Sequence, residues 1–392
     1  MAAHARRSAH RSETDASVAV IGGGVVGVAV AHSLARRGVA TLLLEAEDDI
    51  ALGASGTSSG ILHTGFDAPP GELETELILR SAALRDAVLD GTGVPVLACG
   101  AILSPRAEDD ARTIAALTER ARANGVEVRL RRDGALEIPG EAVTDPVAYT
   151  AALARTAAAA GAEVRTRARV AAVERERGRL RLALDGGDAV RCEAAVNCAG
   201  LYADDVARMG GDDSFAVYPR KGEFFVFDPP DGRPLERILL PVPTKRTKGV
   251  LVFPTIDGKV VAGPTAHDQE DKGDWTVRDE AREEVLGTAR AMLPALETAE
   301  PVASYAGLRP AGRGVNYVIG PSPACPGLVN VAAIRSTGLS ASLGIGDYVA
   351  ELVATQGIAL GPDRRLPPIA PPAHAPAPWW RRTAQYRASV AR

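Results

Sequence analysis

Gly22, Gly24 and Gly27 form a G-x-G-x-x-G run behind the apolar stretch Ser17–Ile21. At this spacing the first glycine permits a sharp turn, the second lets the backbone approach a pyrophosphate, and the third brings helix against strand. The N–H groups opened at the start of the following helix face an anion. Glu45 lies 23 positions beyond Gly22, at the end of a second apolar run. A carboxylate there accepts hydrogen bonds from both ribose hydroxyls of an adenosine and argues against a 2′-phosphate. Taken alone, the pattern suits NAD and FAD equally. The segment Gly53–Gly60 (GASGTSSG) is dense in small residues and hydroxyls, so it can lie flat against a long cofactor and donate to its second phosphate and ribityl chain. His63 follows in ILHTGFD, whereas His32 in VAVAHSLARRG reads as a helix-surface residue. An imidazole that titrates near neutrality can take a proton from a hydroxyl, although a histidine in a loop is as readily satisfied by a backbone carbonyl.

The elements that would position these residues follow from apolar periodicity. Ser17–Ile21 reads as a buried parallel strand, VAVAHSLARRG as a helix closed by Gly38, and ATLLLE as a second strand ending at Glu45, together a βαβ unit of about 30 residues. Helices are expected over Leu73–Asp90, Glu108–Asn124 and Asp145–Ala160, with a strand pair over Gly91–Leu103. AEVRTRARVAAVERERGRLRLALDGG reads as strands turning at Gly178. AAVNCAG is a buried strand meeting a helix at LYADDVARM, LVNVAAI a last strand, and STGLSASLGIGDYVAELVA a last helix. Ala216–Gly263 is strand-rich, with Asp257-Gly258 marking a hairpin, and Arg278–Leu293 is a surface helix that would carry its polar face to solvent. The simplest assembly is an α/β fold: a Rossmann-like, doubly wound domain from separated segments (17–91, 146–215 and 300–362) and a β-rich α+β domain (92–145 and 216–299) over its ligand crevice. Residues 1–16 read as a disordered tail and 363–392 as a Pro/Ala-rich tail.

Composition narrows the function classes. Among 392 residues, 45 Lys and Arg against 49 Asp and Glu give a formal charge of −4, which excludes a strongly basic nucleic-acid binder. The four cysteines Cys99, Cys192, Cys198 and Cys325 form no CxxC pair, so neither a disulfide framework nor a metal site is expected. No apolar run approaches the roughly 18 residues of a membrane span, and the N-terminus has no apolar signal core, so a cytoplasmic location is expected, with peripheral membrane contact left open.

IGGGVVGVAVAHSLARRG…LLLE followed by SSGILHTGFDAPPG resembles the FAD-dependent oxidoreductases of the D-amino-acid-oxidase superfamily. Within it the chain is most similar to the glycerol-3-phosphate dehydrogenase/oxidase branch and to L-2-hydroxyglutarate oxidase. VNCAGLYADDVARMGG, YPRKGEFFVFD, TKGVLVFPTIDGKVVAGPTAHD, SYAGLRPAG and VNVAAIRSTGLSASLGIGDYVAELV follow in the family's order, so the resemblance spans roughly residues 17–356. It implies a glutathione-reductase-type cofactor domain with FAD extended across the parallel sheet. The adenosine end would meet Gly22, Gly24, Gly27 and Glu45, with Val170 beside adenine. Ser55, Ser58 and Ser59 would contact the phosphates and the flavin side, and Ala199 and Gly200 would allow close backbone approach. Gly338, Leu339 and Ser340 would turn N–H groups toward the flavin pyrimidine edge.

His63 falls where relatives hold a histidine beside flavin N5 and the substrate hydroxyl, which makes it the expected base. Arg309 in GLRP is the expected clamp for a phosphate or carboxylate, since a guanidinium binds either bidentately. Lys248 in TKGVLVFP would add a second positive charge, and Ser336 a hydrogen bond to substrate. Three departures bear on substrate. Ser58 replaces a usual Asn, Phe66 a usual Tyr, and Arg335 stands at a position usually acidic or small; if it points inward, the substrate is more anionic. No cysteine lies in 301–321, so a non-covalent flavin is expected. Glycerol 3-phosphate is the first substrate implied, with L-2-hydroxyglutarate or a related 2-hydroxy acid as alternative. An amine or amino-acid oxidase and a flavin-binding subunit of a larger complex remain open, as do oxygen or quinone as acceptor and the oligomeric state.

Overall fold

The computed structural model describes residues 13–107, 110–243, 249–367, 369–370 and 377–390. The helices are α1 (Val25–Arg36), α2 (Leu73–Leu89), α3 (Asp110–Ala123), α4 (Pro146–Ala159), α5 (Ala203–Met209), α6 (Ala281–Met292), α7 (Gly338–Thr355) and α8 (Trp379–Val390). Two large sheets organise them. The first has eight strands and is parallel at its centre. There Glu13–Ile21 pairs with Thr41–Leu44 on one side and Ala189–Asn197 on the other, and Leu328–Ala332 pairs in parallel with Ala195–Asn197. Where these strands pair at the centre, Val18–Ile21, Leu42–Leu44 and Ala194–Val196 are apolar runs because both faces of the sheet are covered.

Helix α1 is apolar around most of its circumference and lies between the sheet and α7. Glycines set how closely the helices approach. A Cβ on Gly346 would stand 2.5 Å from the Ala29 carbonyl oxygen, and one on Gly344 would stand 2.2 Å from that of Leu77. The backbones of α1, α7 and α2 therefore touch where a side chain would hold them apart. Helix α4 starts at the expected Asp145-Pro146, with the Asp145 carboxylate accepting from the Val147 and Ala148 N–H groups.

The second sheet has nine strands around Val217–Phe227, which pairs along its length with Pro301–Gly312. The hairpin expected at Asp257-Gly258 joins Leu251–Pro254 to Val260–Gly263, and Gly258 takes the required positive φ of 79°. Helix α6 buries Ala281, Val285, Leu286 and Ala289 in a cluster with Phe225 and Phe227. A small sheet of Ile61–Leu62, Ala142–Thr144 and Val96–Leu97 sits beside the two large ones.

The structure departs from the sequence reading at five places. The first strand begins at Glu13, inside the segment read as tail. Pro301–Gly312 belongs to the second sheet and not to the parallel one, because it pairs with Val217–Phe227. The strand pair expected over Gly91–Leu103 is two strands in different sheets, Val96–Leu97 and Ala101–Leu103. His32, expected on a helix surface, is 3% exposed, because α1 is covered on both sides.

The fifth is the C-terminal segment, where α8 replaces the expected extended tail. Trp379 and Trp380 are 2% and 3% exposed in the core of the second sheet. The Trp379 ring stands edge-on to Tyr305 at 5.3 Å, Trp380 donates its indole N–H to Asp257, and Thr383 donates to the Gly56 carbonyl. Among the described residues no helix is long and apolar enough to cross a membrane.

Candidate active site

A cavity of about 1160 Å³ runs between the two sheets, from the glycine-rich turn to the Val217–Phe227 and Pro301–Gly312 pair. One wall is backbone. Gly22 has φ +110°, and a Cβ there would stand 2.4 Å from the Cys198 carbonyl oxygen; one on Gly27 would stand 2.0 Å from the Gly22 carbonyl. Gly22 and Gly24 line the cavity, whereas Gly27 lies behind it and lets α1 close on the strand. Helix α1 has no side-chain cap at Gly24; the Ser55 hydroxyl accepts from the Val25 N–H at 2.9 Å. Ser55 thus sits at the positive end of the helix, where partial charge favours an anion.

Glu45 lines the same wall, with Oε2 accepting from the Gly23 N–H at 2.6 Å and Oε1 from the Glu47 N–H at 2.9 Å. Its carboxylate therefore also orders the turn. Ser58, Ser59, Val170, Ala199 and Gly200 line the cavity as well, Gly200 with φ +57°. Of the three residues expected at the start of α7, Gly338 and Leu339 face the cavity. Ser340 does not: it is 1% exposed, and its hydroxyl accepts from the His63 N–H at 2.8 Å and lies 3.3 Å from the Ile61 carbonyl oxygen. Its side chain ties α7 to the segment that carries His63.

His63 lines the cavity where the two walls meet, and its Nδ1 lies 2.8 Å from Glu141 Oε2. Glu141 is fully buried, and its other oxygen accepts from the Thr64 N–H at 2.7 Å and the Thr64 hydroxyl at 2.9 Å. It occupies the turn between Leu136–Ile138 and Ala142–Thr144, so both flanking strands hold it. Sequence reasoning missed it; the available signal was one acid embedded in the apolar stretch IPGEAV.

Arg309 projects from the middle of Pro301–Gly312 and lines the other wall. Its Nε donates to the Arg220 carbonyl at 3.2 Å, and its Nη2 to those of Lys221 at 3.2 Å and Thr265 at 2.7 Å. Gly222 makes room, since a Cβ there would stand 2.9 Å from Nη2. Burial, reinforced by the neighbouring Arg220 charge, lowers the Arg309 pKa to about 10, so it is still a cation at neutral pH. Asp268 pulls the other way but is paired with Arg220 at 2.6 Å. A guanidinium fixed by three carbonyls keeps an unneutralised charge, which an anionic ligand can satisfy.

Ser336 and Arg335 stand at the cavity rim and are exposed. Arg335 Nε donates to Asn316 at 2.7 Å, and the guanidinium lies 3.7 Å from the Glu74 carboxylate, so it is engaged at the rim. Phe66 is buried on the wall, without a hydroxyl to offer. Lys248 lies outside the described residues.

A glycine turn ending a parallel strand, an uncapped helix start and an acid at the end of the next strand suit an extended dinucleotide. With a histidine and a half-buried cation lining the same cavity, they define the class of dinucleotide-dependent oxidoreductases. Residues 17–352 match the FAD dependent oxidoreductase family (DAO), and the chain belongs to that family. It is 29% identical to a glycerol 3-phosphate dehydrogenase of Caloramator mitchellensis over 352 residues, covering 86% of this chain and 73% of that protein. It is 28% identical to the mitochondrial L-2-hydroxyglutarate dehydrogenase of Mus musculus, covering 63% of this chain and 60% of that one. Its fold matches the FAD-bound L-alpha-glycerophosphate oxidase of Mycoplasma pneumoniae with a TM-score of 0.85 at 24% identity, over 92% of this chain and all of that one. The protein is an FAD-dependent oxidoreductase.

Proposed function

We propose that this enzyme oxidises a small anionic 2-hydroxy compound, with glycerol 3-phosphate to dihydroxyacetone phosphate as the first substrate. The observation that carries the reading is that His63, held by Glu141, and the anchored Arg309 line one cavity. A hydroxyl must lose its proton as the hydride leaves, so a base suits a hydroxy compound more than a free amine, and the clamp adds the requirement for a phosphate or carboxylate. The curated relatives act on glycerol 3-phosphate or L-2-hydroxyglutarate, which supports the same class.

Gly22, Gly24 and the start of α1 would hold the pyrophosphate, and Glu45 the adenosine ribose, with Val170 beside adenine. Ser55, Ser58, Ser59, Ala199 and Gly200 would line the rest of the FAD, and the N–H groups of Gly338, Leu339 and Ser340 would face the flavin pyrimidine edge. Bound there, FAD supplies a two-electron acceptor for the hydride of the carbinol carbon. Arg309 holds the phosphate or carboxylate and so fixes the position of that carbon. His63 Nε2 takes the hydroxyl proton as the C–H bond breaks, leaving the ketone.

Anaerobic mixing of the yellow holoenzyme with glycerol 3-phosphate, L-2-hydroxyglutarate, glycine and D-amino acids tests the reading. Glycerol 3-phosphate should bleach the flavin fastest and the amines not at all. Bleaching by amines alone, or by none of the panel, would contradict it.

A further inference from the structure

We infer that Glu141 is a positioning residue that makes His63 a base: it holds a proton on Nδ1 and leaves the lone pair on Nε2. With Glu141 as a carboxylate, its contacts point to one arrangement. Glu141 Oε1 already accepts twice, from the backbone and hydroxyl of Thr64, and Oε2 faces Nδ1 at 2.8 Å. A carboxylate offers only acceptors, so the imidazole must donate from Nδ1, and a neutral ring then carries its basic lone pair on Nε2.

The carboxylate is itself rigid. It is fully buried, its turn is held by the Gly100 N–H donating to the Glu141 carbonyl at 2.9 Å, and a Cβ on Gly140 would stand 2.9 Å from the Thr64 methyl group. The His63 backbone is fixed separately by the Ser340 hydroxyl. Backbone and ring are thus each pinned by a buried partner, while 28% of the side chain stays accessible on the cavity side. When Nε2 takes the substrate proton, the O–H bond breaks, an N–H bond forms, and the resulting imidazolium faces a carboxylate at hydrogen-bond distance. Glu141 keeps its three hydrogen bonds and receives no proton.

This inference rests on the function proposed above, and the two can fail separately. On the oxidised holoenzyme without substrate, 15N NMR of the labelled histidines should show His63 protonated on Nδ1; protonation on Nε2 would overturn the inference whatever the substrate proves to be. In single-turnover reduction, Glu141→Gln should slow flavin reduction by about 100-fold or more while changing the substrate dissociation constant less than about threefold. In a His63→Ala background the same substitution should slow reduction no further, within about threefold, because Glu141 acts only through the ring. Equal slowing in both backgrounds, or wild-type reduction by Glu141→Gln, would overturn it. A wild type that no hydroxy compound reduces would defeat the proposed function and leave the tautomer result standing.

Discussion

The two walls of the cavity are made by different means. The wall proposed for the cofactor runs from Gly22 to Ser59, shaped by Gly22, Gly27 and Gly56, where a Cβ would meet backbone, and by a helix start whose first N–H is met by Ser55 from the following turn. The substrate-side wall is made of side chains brought from far apart: Glu141 reaches His63 across 78 positions, and Arg309 is pinned by carbonyls of Arg220 and Thr265. Local backbone geometry is written in residue type and spacing. Side-chain constellations depend on a register that only the folded chain displays.

The sharpest way to break this contrast is to put a side chain into the backbone wall. Gly22→Val meets the Cys198 carbonyl and an unfavourable φ, so the protein should purify without FAD and fail to take it up on titration. Full flavin occupancy in that variant would refute the account of that wall.

The next effect concerns the C-terminal helix, which joins both walls. Trp379→Ala should cost about 3–5 kcal/mol in chemical unfolding, the range for emptying a large buried aromatic site. A loss under about 1 kcal/mol would mean that α8 is peripheral.

Arg309→Leu should weaken substrate binding by about 30-fold or more, as measured by titration, and leave FAD content unchanged. Loss of FAD with unaltered substrate affinity would move Arg309 to the other wall.

The smallest effect lies behind the cofactor wall, at His32. Burial, aided by the Arg36 charge, lowers its pKa from 6.5 to about 4. The neutral ring therefore contributes stability in full above about pH 6.5, and that contribution is lost as pH falls toward 4. His32→Gln should flatten the decline in that window by an amount on the order of 1–3 kcal/mol, read from unfolding at each pH. An unchanged pH slope would place the titration elsewhere.

What could be read before folding follows the same division. Gly22, Gly24 and Glu45 lie within one βαβ unit, so their spacing placed them at one wall with Gly27 packing behind it, while Ser55 in the following turn came with the resemblance. The hairpin at Asp257-Gly258 was equally local. Glu141 was not legible, because a lone acid between apolar residues does not name the imidazole it will meet. The role of the Ser340 hydroxyl was not legible for a related reason: only N–H groups were expected to act at the start of α7, and the hydroxyl meets the His63 backbone from a distant part of the chain.

The C-terminal segment was obscured by composition, since proline and alanine around 367–378 hid the two tryptophans that bury themselves. His32 was the one error that periodicity could have prevented. VVGVAVAHSLA is apolar on every face, and such a helix is covered on every side.

On the proposed reading, proton removal belongs to His63, where the backbone wall meets the side-chain wall. Anaerobic single-turnover reduction of the His63→Ala holoenzyme by glycerol 3-phosphate tests it most directly. The account predicts full FAD content, near-normal substrate binding and reduction slowed by about 100-fold or more. Reduction at the wild-type rate would contradict it.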